Sequence, residues 1–206
     1  MTEASRSSPA TLHLAEEIRL IAGAKHGDHA SFEQLVDRYM GKAMTVARAY
    51  VNNREDALEL AQEAFYRVYR SLDSFREGEP FAPWFFRILR NTCLSFLSKH
   101  RKRRHLSLDA PVGGDPEGAP MAVADPSCVR PERGAELSEE HRQLRHALDS
   151  LPFMHKEILI LRHFEELDYA SIAEVLDIPI GTVMSRLFHA RRKLKDALDA
   201  YMGGRR

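Results

Sequence analysis

Large apolar residues recur along this chain at steps of three and four, the spacing that gives a helix one buried face. No stretch alternates convincingly with the period of a strand. Residues 12–25, LHLAEEIRLIAGAK, predict a short lead helix. Phe32, Leu35, Val36, Tyr39, Ala43, Val46 and Tyr50 then mark a long amphipathic helix from about Asp28 to Val51. Asn53 to Asp56 supply capping side chains for the next helix, whose inward face is Ala57, Ala61, Ala64, Phe65, Val68 and Leu72. After a turn over Arg76–Pro80, a third helix is expected to start near Pro83, since proline suits a first helical turn. Its buried side reads Phe85, Ile88, Leu89, Thr92, Phe96 and Leu97.

Residues 105–136 break the pattern: they hold five of the ten prolines and almost no large apolar groups, the composition of a flexible linker. Helical spacing resumes at Leu137 and runs through Leu144, Leu148 and Leu151, and Pro152 then opens a helix containing Ile158, Leu159 and Leu161. The expected fold is all-α. It comprises two small helical domains, 12–104 and 137–201, joined by the linker, with short tails at 1–11 and 202–206.

The most informative stretch is 168–195, DYASIAEVLDIPIGTVMSRLFHARRKLK. Two short amphipathic helices flank a tight break at Asp177-Ile178-Pro179-Ile180, which predicts a helix-turn-helix. The second helix buries Val183, Leu187, Ala190, Leu194 and Leu198. At about 100° per residue, its opposite face carries Ser185, Phe188, His189 and Arg192. Arg186 and Lys193 flank one side, Met184 and Arg191 the other. Short polar and apolar groups suit base edges, cationic shoulders suit phosphates, and an aromatic edge can meet a thymine methyl. An ordinary solvated helix would have no reason to turn Phe188 outward.

Composition adds little until its distribution is considered. Thirty basic residues balance thirty acidic ones over 206 residues. The bases cluster, however, in Lys99, Arg101, Lys102, Arg103 and Arg104 and again between Arg186 and Lys195, whereas 105–136 carries six acids against Arg130 and Arg133. On the third helix, Arg87, Arg90, Asn91, Leu94 and Ser98 face away from the core and run into the first basic block. Trp84 lies on the flank of Asn91 and Ser95, with Phe75, Phe81 and Phe86 crowding the loop and first turns. Aromatics interleaved with cations suit single-stranded nucleic acid, although Trp84 fits a core position equally well. The second helix shows the opposite chemistry. Asp56, Glu59, Gln62 and Glu63 line its exposed side, with Leu60 and Tyr66 at the margins, a face fit for a basic helical partner.

Cys93 and Cys128 have no paired spacing, and Cys93 falls on an apolar helix face, so a reducing cytoplasm is the simplest setting. No apolar run approaches the ~20 residues needed to span a bilayer, and the N-terminus lacks the plan of a signal peptide. The chain holds no HExxH, P-loop, GxGxxG or nucleophile signature. No enzymatic activity is expected, and no metal or other cofactor.

Together these stretches resemble bacterial sigma factors of the extracytoplasmic-function (ECF) group, in the sigma-70 superfamily. FEQLVDRYMGKAMTVARAYV looks like the opening helix of their first domain, and REDALELAQEAFYRVYRSLDSF like the segment that docks on the clamp helices of RNA polymerase. FAPWFFRILRNTCLSFLSKHRKRR is similar to the segment that captures and melts the minus-10 element. LPFMHKEILILRHFEELDYASIAEVLDIPIGTVMSRLFHARRKLKDAL resembles the domain that reads the minus-35 element. The loop EGEPFAPW, with two prolines, departs from the family pattern.

The resemblance implies core RNA polymerase, promoter DNA and an anti-sigma factor as partners, with no small-molecule substrate. It also implies a cytoplasmic protein without direct membrane insertion. Asp56, Gln62 and Glu63 match polymerase-docking positions, and Glu59 and Leu60 adjoin them. Asn91 matches a position near the pocket for a flipped minus-10 base, so Trp84, Arg87, Arg90, Arg101, Arg103 and Arg104 are expected along the same DNA. Met184, Ser185, Phe188 and His189 match base-reading positions at the minus-35 element, and Thr182, Arg186, Arg191 and Arg192 are assigned beside them.

A stand-alone repressor or activator is the rival class. Such proteins read two half-sites about 34 Å apart as dimers, and a separate aromatic and basic helix would be superfluous to them. A flexible chain of 32 residues (105 through 136) has a relaxed span of ~30 Å and a full reach of ~105 Å. Promoter elements one and a half duplex turns apart lie ~50 Å from one another. The linker bridges them only when drawn out.

Overall fold

In the computed structural model the described residues are 9–51, 53–76, 78–106, 139–163 and 165–203, with side chains at 9–13, 102–106, 139–141 and 201–203 outside that set. They form α1 (Pro9–Lys25), α2 (His29–Tyr50), α3 (Arg54–Ser71), α4 (Phe81–Leu106), α5 (Glu139–Asp149), α6 (Phe153–His163), α7 (Tyr169–Leu176) and α8 (Ile180–Gly203), with a single 3-10 turn at Leu72–Ser74. Among the described residues there is no strand, and no helix is long and apolar enough to cross a membrane. The all-α expectation holds. The chain separates into two compact units, one built mainly on α1–α4 and the other on α5–α8. Most of the expected linker, with Cys128, lies outside the described residues, and α4 runs on through His105 and Leu106.

In the first unit, α1 and α2 meet at a tight turn. Gly27 takes a left-handed φ of 83°, a conformation that costs glycine little. Asp28 caps α2, its carboxylate accepting from the Ala30 N–H at 3.1 Å and from the Ser31 hydroxyl at 2.5 Å. The Ser31 hydrogen bond is the main cause that holds this carboxyl below the usual range. Gly23 is required here for space: a Cβ would collide with Ser31 Oγ and lie 3.0 Å from Ser31 Cβ. Three polar ties secure α1. Arg38 pairs with Glu16, the Tyr39 hydroxyl donates to Glu17 at 2.6 Å, and Lys25 donates to the Phe75 carbonyl at 2.6 Å.

The core follows the predicted seams. Leu35, Ala43, Val46 and Ala47 of α2 and Ala57, Ala61, Ala64 and Val68 of α3 are all buried. The run of alanines lets the two helix backbones approach closely. Phe81, Phe85 and Phe86 of α4 are fully buried around Tyr39, with ring centroids 5.1, 5.3 and 6.3 Å from it. Such pairs add about 0.5–1.5 kcal/mol beyond their buried area. Phe81 is the reason α4 starts two residues earlier than Pro83 suggested: the first residue of the helix is itself a core residue. Cys93 packs in the same seam. Leu97, expected inside, is 37% exposed, and Ile88 and Phe96 are half-buried. Beyond Cys93 the helix extends further than its cover.

In the second unit, Ile158, Leu159, Ile160 and Leu161 of α6 and Ile172, Val175 and Leu176 of α7 are buried with Val183, Leu187 and Ala190 of α8. Leu194 and Leu198 are only half-buried, since α8 continues past the core to Gly203. Asp168 caps α7 by accepting from the Ser171 N–H at 2.7 Å. The α7–α8 break turns on Asp177, whose φ of 54° lies in the left-handed region. The Ile178 N–H then reaches back to the Ala173 carbonyl at 3.1 Å, which closes α7 as a Schellman cap. The Pro179 carbonyl accepts from Thr182 at 2.8 Å and Val183 at 3.1 Å, which starts α8.

Two expectations follow from this packing. Gly23→Ala should lower the stability of the first unit by about 1–3 kcal/mol, the usual cost of overpacking. Adding Ser31→Ala should recover part of the loss, as thermal denaturation would show, whereas an unchanged midpoint would contradict the close approach. Asp168→Ala should cost the second unit about 1 kcal/mol. Its carboxyl is held below the ordinary value, first by the Ser171 backbone N–H. The cap's contribution is therefore complete above the ordinary carboxylate pKa and is lost as pH falls through the lowered one. Melts of the wild type and Asp168→Ala should converge in acid and differ at neutral pH, and equal stability at neutral pH would refute the cap.

Candidate interfaces for protein and nucleic acid

The outer half of α3 carries the acidic face. Asn53 caps the helix, its side-chain oxygen accepting from the Asp56 N–H at 2.6 Å while its amide donates to Asp56 Oδ2 at 2.6 Å. The Asp56 carboxylate is thereby fixed, half-buried, in the first turn. Glu59 and Gln62 are exposed. Glu63 pairs with Arg67 at 2.7 Å, both side chains being more than 40% exposed. A pair of this kind is worth only about 0.3–0.5 kcal/mol, so its carboxylate can change partner at little cost.

Leu60 does not belong to this face: it is 4% exposed, buried like Ala57, Ala61 and Ala64. The apolar part of the face is instead Leu58, Tyr66 and Tyr69, all more than 40% exposed. These stand at helical spacing around Gln62. Tyr69 is backed by Phe32 at 5.1 Å and His29 at 6.2 Å from α2. Counting exposed apolar residues on either side of Gln62 would have found Leu58 and Tyr69. The result is a carboxylate row beside an apolar stripe, complementary to a basic amphipathic helix.

On α4, Arg87, Asn91, Ser95, Ser98 and Arg101 are exposed and Arg90 is half-buried. Asn91 makes no side-chain hydrogen bond among the described residues. Trp84 is half-buried, its ring packed against Phe75 at 4.9 Å and Phe81 at 5.8 Å. One side of the indole is thus packed in the core and the remainder is open. The helix is unbroken from Asn91 past Arg101, and Arg103 and Arg104 lie on it, although their side chains are outside the described set.

On α8, Ser185, Phe188, His189 and Arg192 are exposed, as helical geometry required, with Phe188 at 64% the most exposed large apolar residue described. The Ser185 hydroxyl donates to the Thr182 carbonyl at 3.1 Å, and that hydroxyl oxygen keeps acceptor capacity for a base edge. Thr182 and Arg186 are half-buried, Arg191 is exposed, and Met184 is 56% exposed. On the Met184 flank a shallow groove of about 450 Å³ is lined by Tyr169, Met184, Leu187, Phe188, Arg191, Arg192 and Lys195. Tyr169 comes from the first turn of α7 and carries the Arg162 guanidinium over its ring at 5.4 Å. Tyr169 and Arg162 sit on other helices, out of reach of a reading confined to α8.

His155 and His163 of α6 are both held below the usual imidazole value. For His155 the causes are burial, then Lys193, His189 and Arg186; for His163, burial, then Arg191 and Arg162. Lys193, His189 and Arg186 on one side of α8 and Arg191 on the other are thus among the groups that disfavour the protonated imidazoles. Among the described residues no group of three or more His, Cys, Asp or Glu could hold a metal.

Known proteins agree with this geometry. The sigma-70 region 2 family matches residues 35–103 and the sigma-70 region 4 family residues 141–194. The ECF RNA polymerase sigma-E factor of Escherichia coli K12 is 35% identical over 179 residues, 85% of this chain and 90% of that protein. The ECF RNA polymerase sigma factor SigW of Bacillus subtilis is 33% identical over 181 residues, 86% of this chain and 94% of that one. Among solved structures, the sigma factor RpoE of Bartonella quintana, in complex with the anti-sigma factor NepR, matches with a TM-score of 0.61 at 25% identity, over 82% of this chain and 96% of that one. The chain belongs to the extracytoplasmic-function group of sigma-70-type RNA polymerase sigma factors.

Proposed function

We propose that this sigma factor selects promoters through three separate faces. The outer side of α3 (Asp56, Glu59, Gln62 and Glu63 with Leu58, Tyr66 and Tyr69) docks on core RNA polymerase. The α4 flank formed by Trp84, Arg87, Arg90 and Asn91, continued by Arg101, Arg103 and Arg104, holds the single-stranded minus-10 element. The outer face of α8 reads the minus-35 duplex with Met184, Ser185, Phe188 and His189, while Thr182, Arg186, Arg191 and Arg192 position the backbone. The observation that carries this reading is Phe188, 64% exposed at the centre of a face whose borders are cations.

The first domain is taken as 12–104, the second as 137–201, and the segment 105–136 as the connection that polymerase draws out. The chain performs no catalysis of its own and acts by differential binding: duplex recognition places the enzyme, and capture of unstacked bases favours the open state. The protein is cytoplasmic, with an anti-sigma factor as its regulator. A solved relative bound to an anti-sigma factor supports that partner.

Two experiments test the assignments. Alanine at Ser185, Phe188 or His189 should change which upstream bases are selected from a randomised element, with ~1–3 kcal/mol of discrimination disappearing for each good base interaction removed. Alanine at Arg186 or Arg191 should weaken all sequences alike and flatten the salt dependence. Unchanged preferences in all three face variants would defeat the assignment. Asn91→Ala, at an exposed position, should cost under about 0.5 kcal/mol of stability yet slow promoter opening on duplex DNA. On templates already unpaired across the minus-10 element the defect should shrink, because the unpairing cost of a few kcal/mol has been removed. Equal defects on both templates would mean that this face does not capture a strand.

A further inference from the structure

Lys25, the last residue of α1, donates from Nζ to the Phe75 carbonyl at 2.6 Å, across 50 positions of sequence. The Phe75 N–H is held too, donating to the Leu72 carbonyl at 3.0 Å. Both backbone groups of Phe75 are therefore fixed, and the residue is only 4% exposed. Its ring lies 4.9 Å from the Trp84 indole and 5.8 Å from Phe81, which is itself 5.8 Å from Trp84. Lys25 is half-buried, and a charge-assisted bond is stronger there than in open water. A chain of direct contacts thus runs from α1 through Phe75 to the packed side of the indole. Its starting point, α1, lies outside residues 35–103, the part that matches sigma-70 region 2.

We propose that Lys25 is a positioning residue for Trp84. By anchoring Phe75 it sets how the indole stands on the α4 flank, and so how readily that flank captures an unpaired minus-10 base. The inference rests on the assignment of Trp84 to the single-stranded element. A ring serves as a stacking platform at little entropic cost only when its orientation is fixed beforehand. Phe75 supplies that support from behind, and it follows only a three-residue 3-10 turn, Leu72–Ser74. Without the lysine the Phe75 carbonyl turns toward water, and the ring shifts with its backbone. The oriented indole then becomes one conformer of several, and the fraction ready to stack on a base falls. The Arg38–Glu16 pair also ties α1 to α2 but involves neither Phe75 nor Trp84. It separates a loosened α1 from a misplaced indole.

Trp84 is the only tryptophan of the chain, so the fluorescence of the free protein reports this position alone. Full-length wild type, Lys25→Met, Lys25→Arg, Arg38→Met and Trp84→Leu are compared, with fold checked by circular dichroism and affinity for core polymerase measured separately. Lys25→Met should shift the emission to longer wavelength and raise its quenching by acrylamide. Assembled with core polymerase, it should slow opening of a duplex promoter by roughly three- to tenfold, the factor that loss of one hydrogen bond gives. The defect should shrink on templates already unpaired across the minus-10 element. Lys25→Arg, which keeps a cationic donor, should recover both the emission and the opening rate. Arg38→Met should leave both near wild type, even where it lowers the melting temperature. Unchanged emission and quenching in Lys25→Met, an equal change in Arg38→Met, or equal defects on duplex and unpaired templates overturns the proposal. Slowed opening by Trp84→Leu beside wild-type opening by Lys25→Met overturns it while the reading of Trp84 survives. Wild-type opening by Trp84→Leu would instead remove that reading, and the proposal with it.

Discussion

The second unit depends on one packing constraint: α8 must bury Val183, Leu187 and Ala190 at once. All three are at most 1% exposed. A helix has one rotation about its axis, so once these side chains are inside, every other residue of α8 has its direction fixed. Phe188 and His189 point out because Leu187 and Ala190 point in. The turn at Asp177 serves the same constraint, since a left-handed residue followed by the Ile178–Ala173 hydrogen bond ends α7 abruptly enough for α8 to start three residues later. The outer face of α8 is thus held by the core beneath it, which would limit the entropy lost on binding the DNA proposed for it.

The features legible in the sequence are those decided by one helix alone. The spacing of Val183, Leu187 and Ala190 suffices to orient α8, and Asn53 announces the start of α3. Leu60 is not legible in this way. It lies at the border of the α3 seam, and the period of α3 alone does not decide that it is covered. Leu97 departs from expectation for the complementary reason, as its helix continues beyond its neighbours. Tyr169 and Arg162 border the α8 surface but reside on α7 and α6, so nothing in the period of α8 points to them. The cap at Asp168 does carry a local signal, an aspartate directly before an apolar helical run.

The two units answer different chemistries with the same means. Each uses an amphipathic helix whose core side is ordinary and whose outer side is specialised: carboxylates beside tyrosines on α3, asparagine and arginine on α4, short polar groups and an aromatic on α8. None of these faces supplies much specificity alone. An exposed carboxylate row is weak and salt-sensitive, and phosphate contacts are indifferent to sequence. On the proposed function, selectivity arises when all are engaged together, which raises the effective concentration of each for its target. On the same proposal, the polymerase holds the two domains, set 32 residues apart at the proposed bounds (105 through 136), in register on a promoter.

That dependence on the polymerase is the central claim, and a promoter titration of the full-length protein, with and without core enzyme, tests it most directly. The account predicts that the protein alone binds promoter and scrambled duplexes alike, with Kd values of about 10⁻⁴–10⁻⁶ M that weaken steeply with salt. With core enzyme, the promoter should be preferred and bound at about 10⁻⁸ M or tighter. Tight, sequence-specific binding by the protein alone would contradict it.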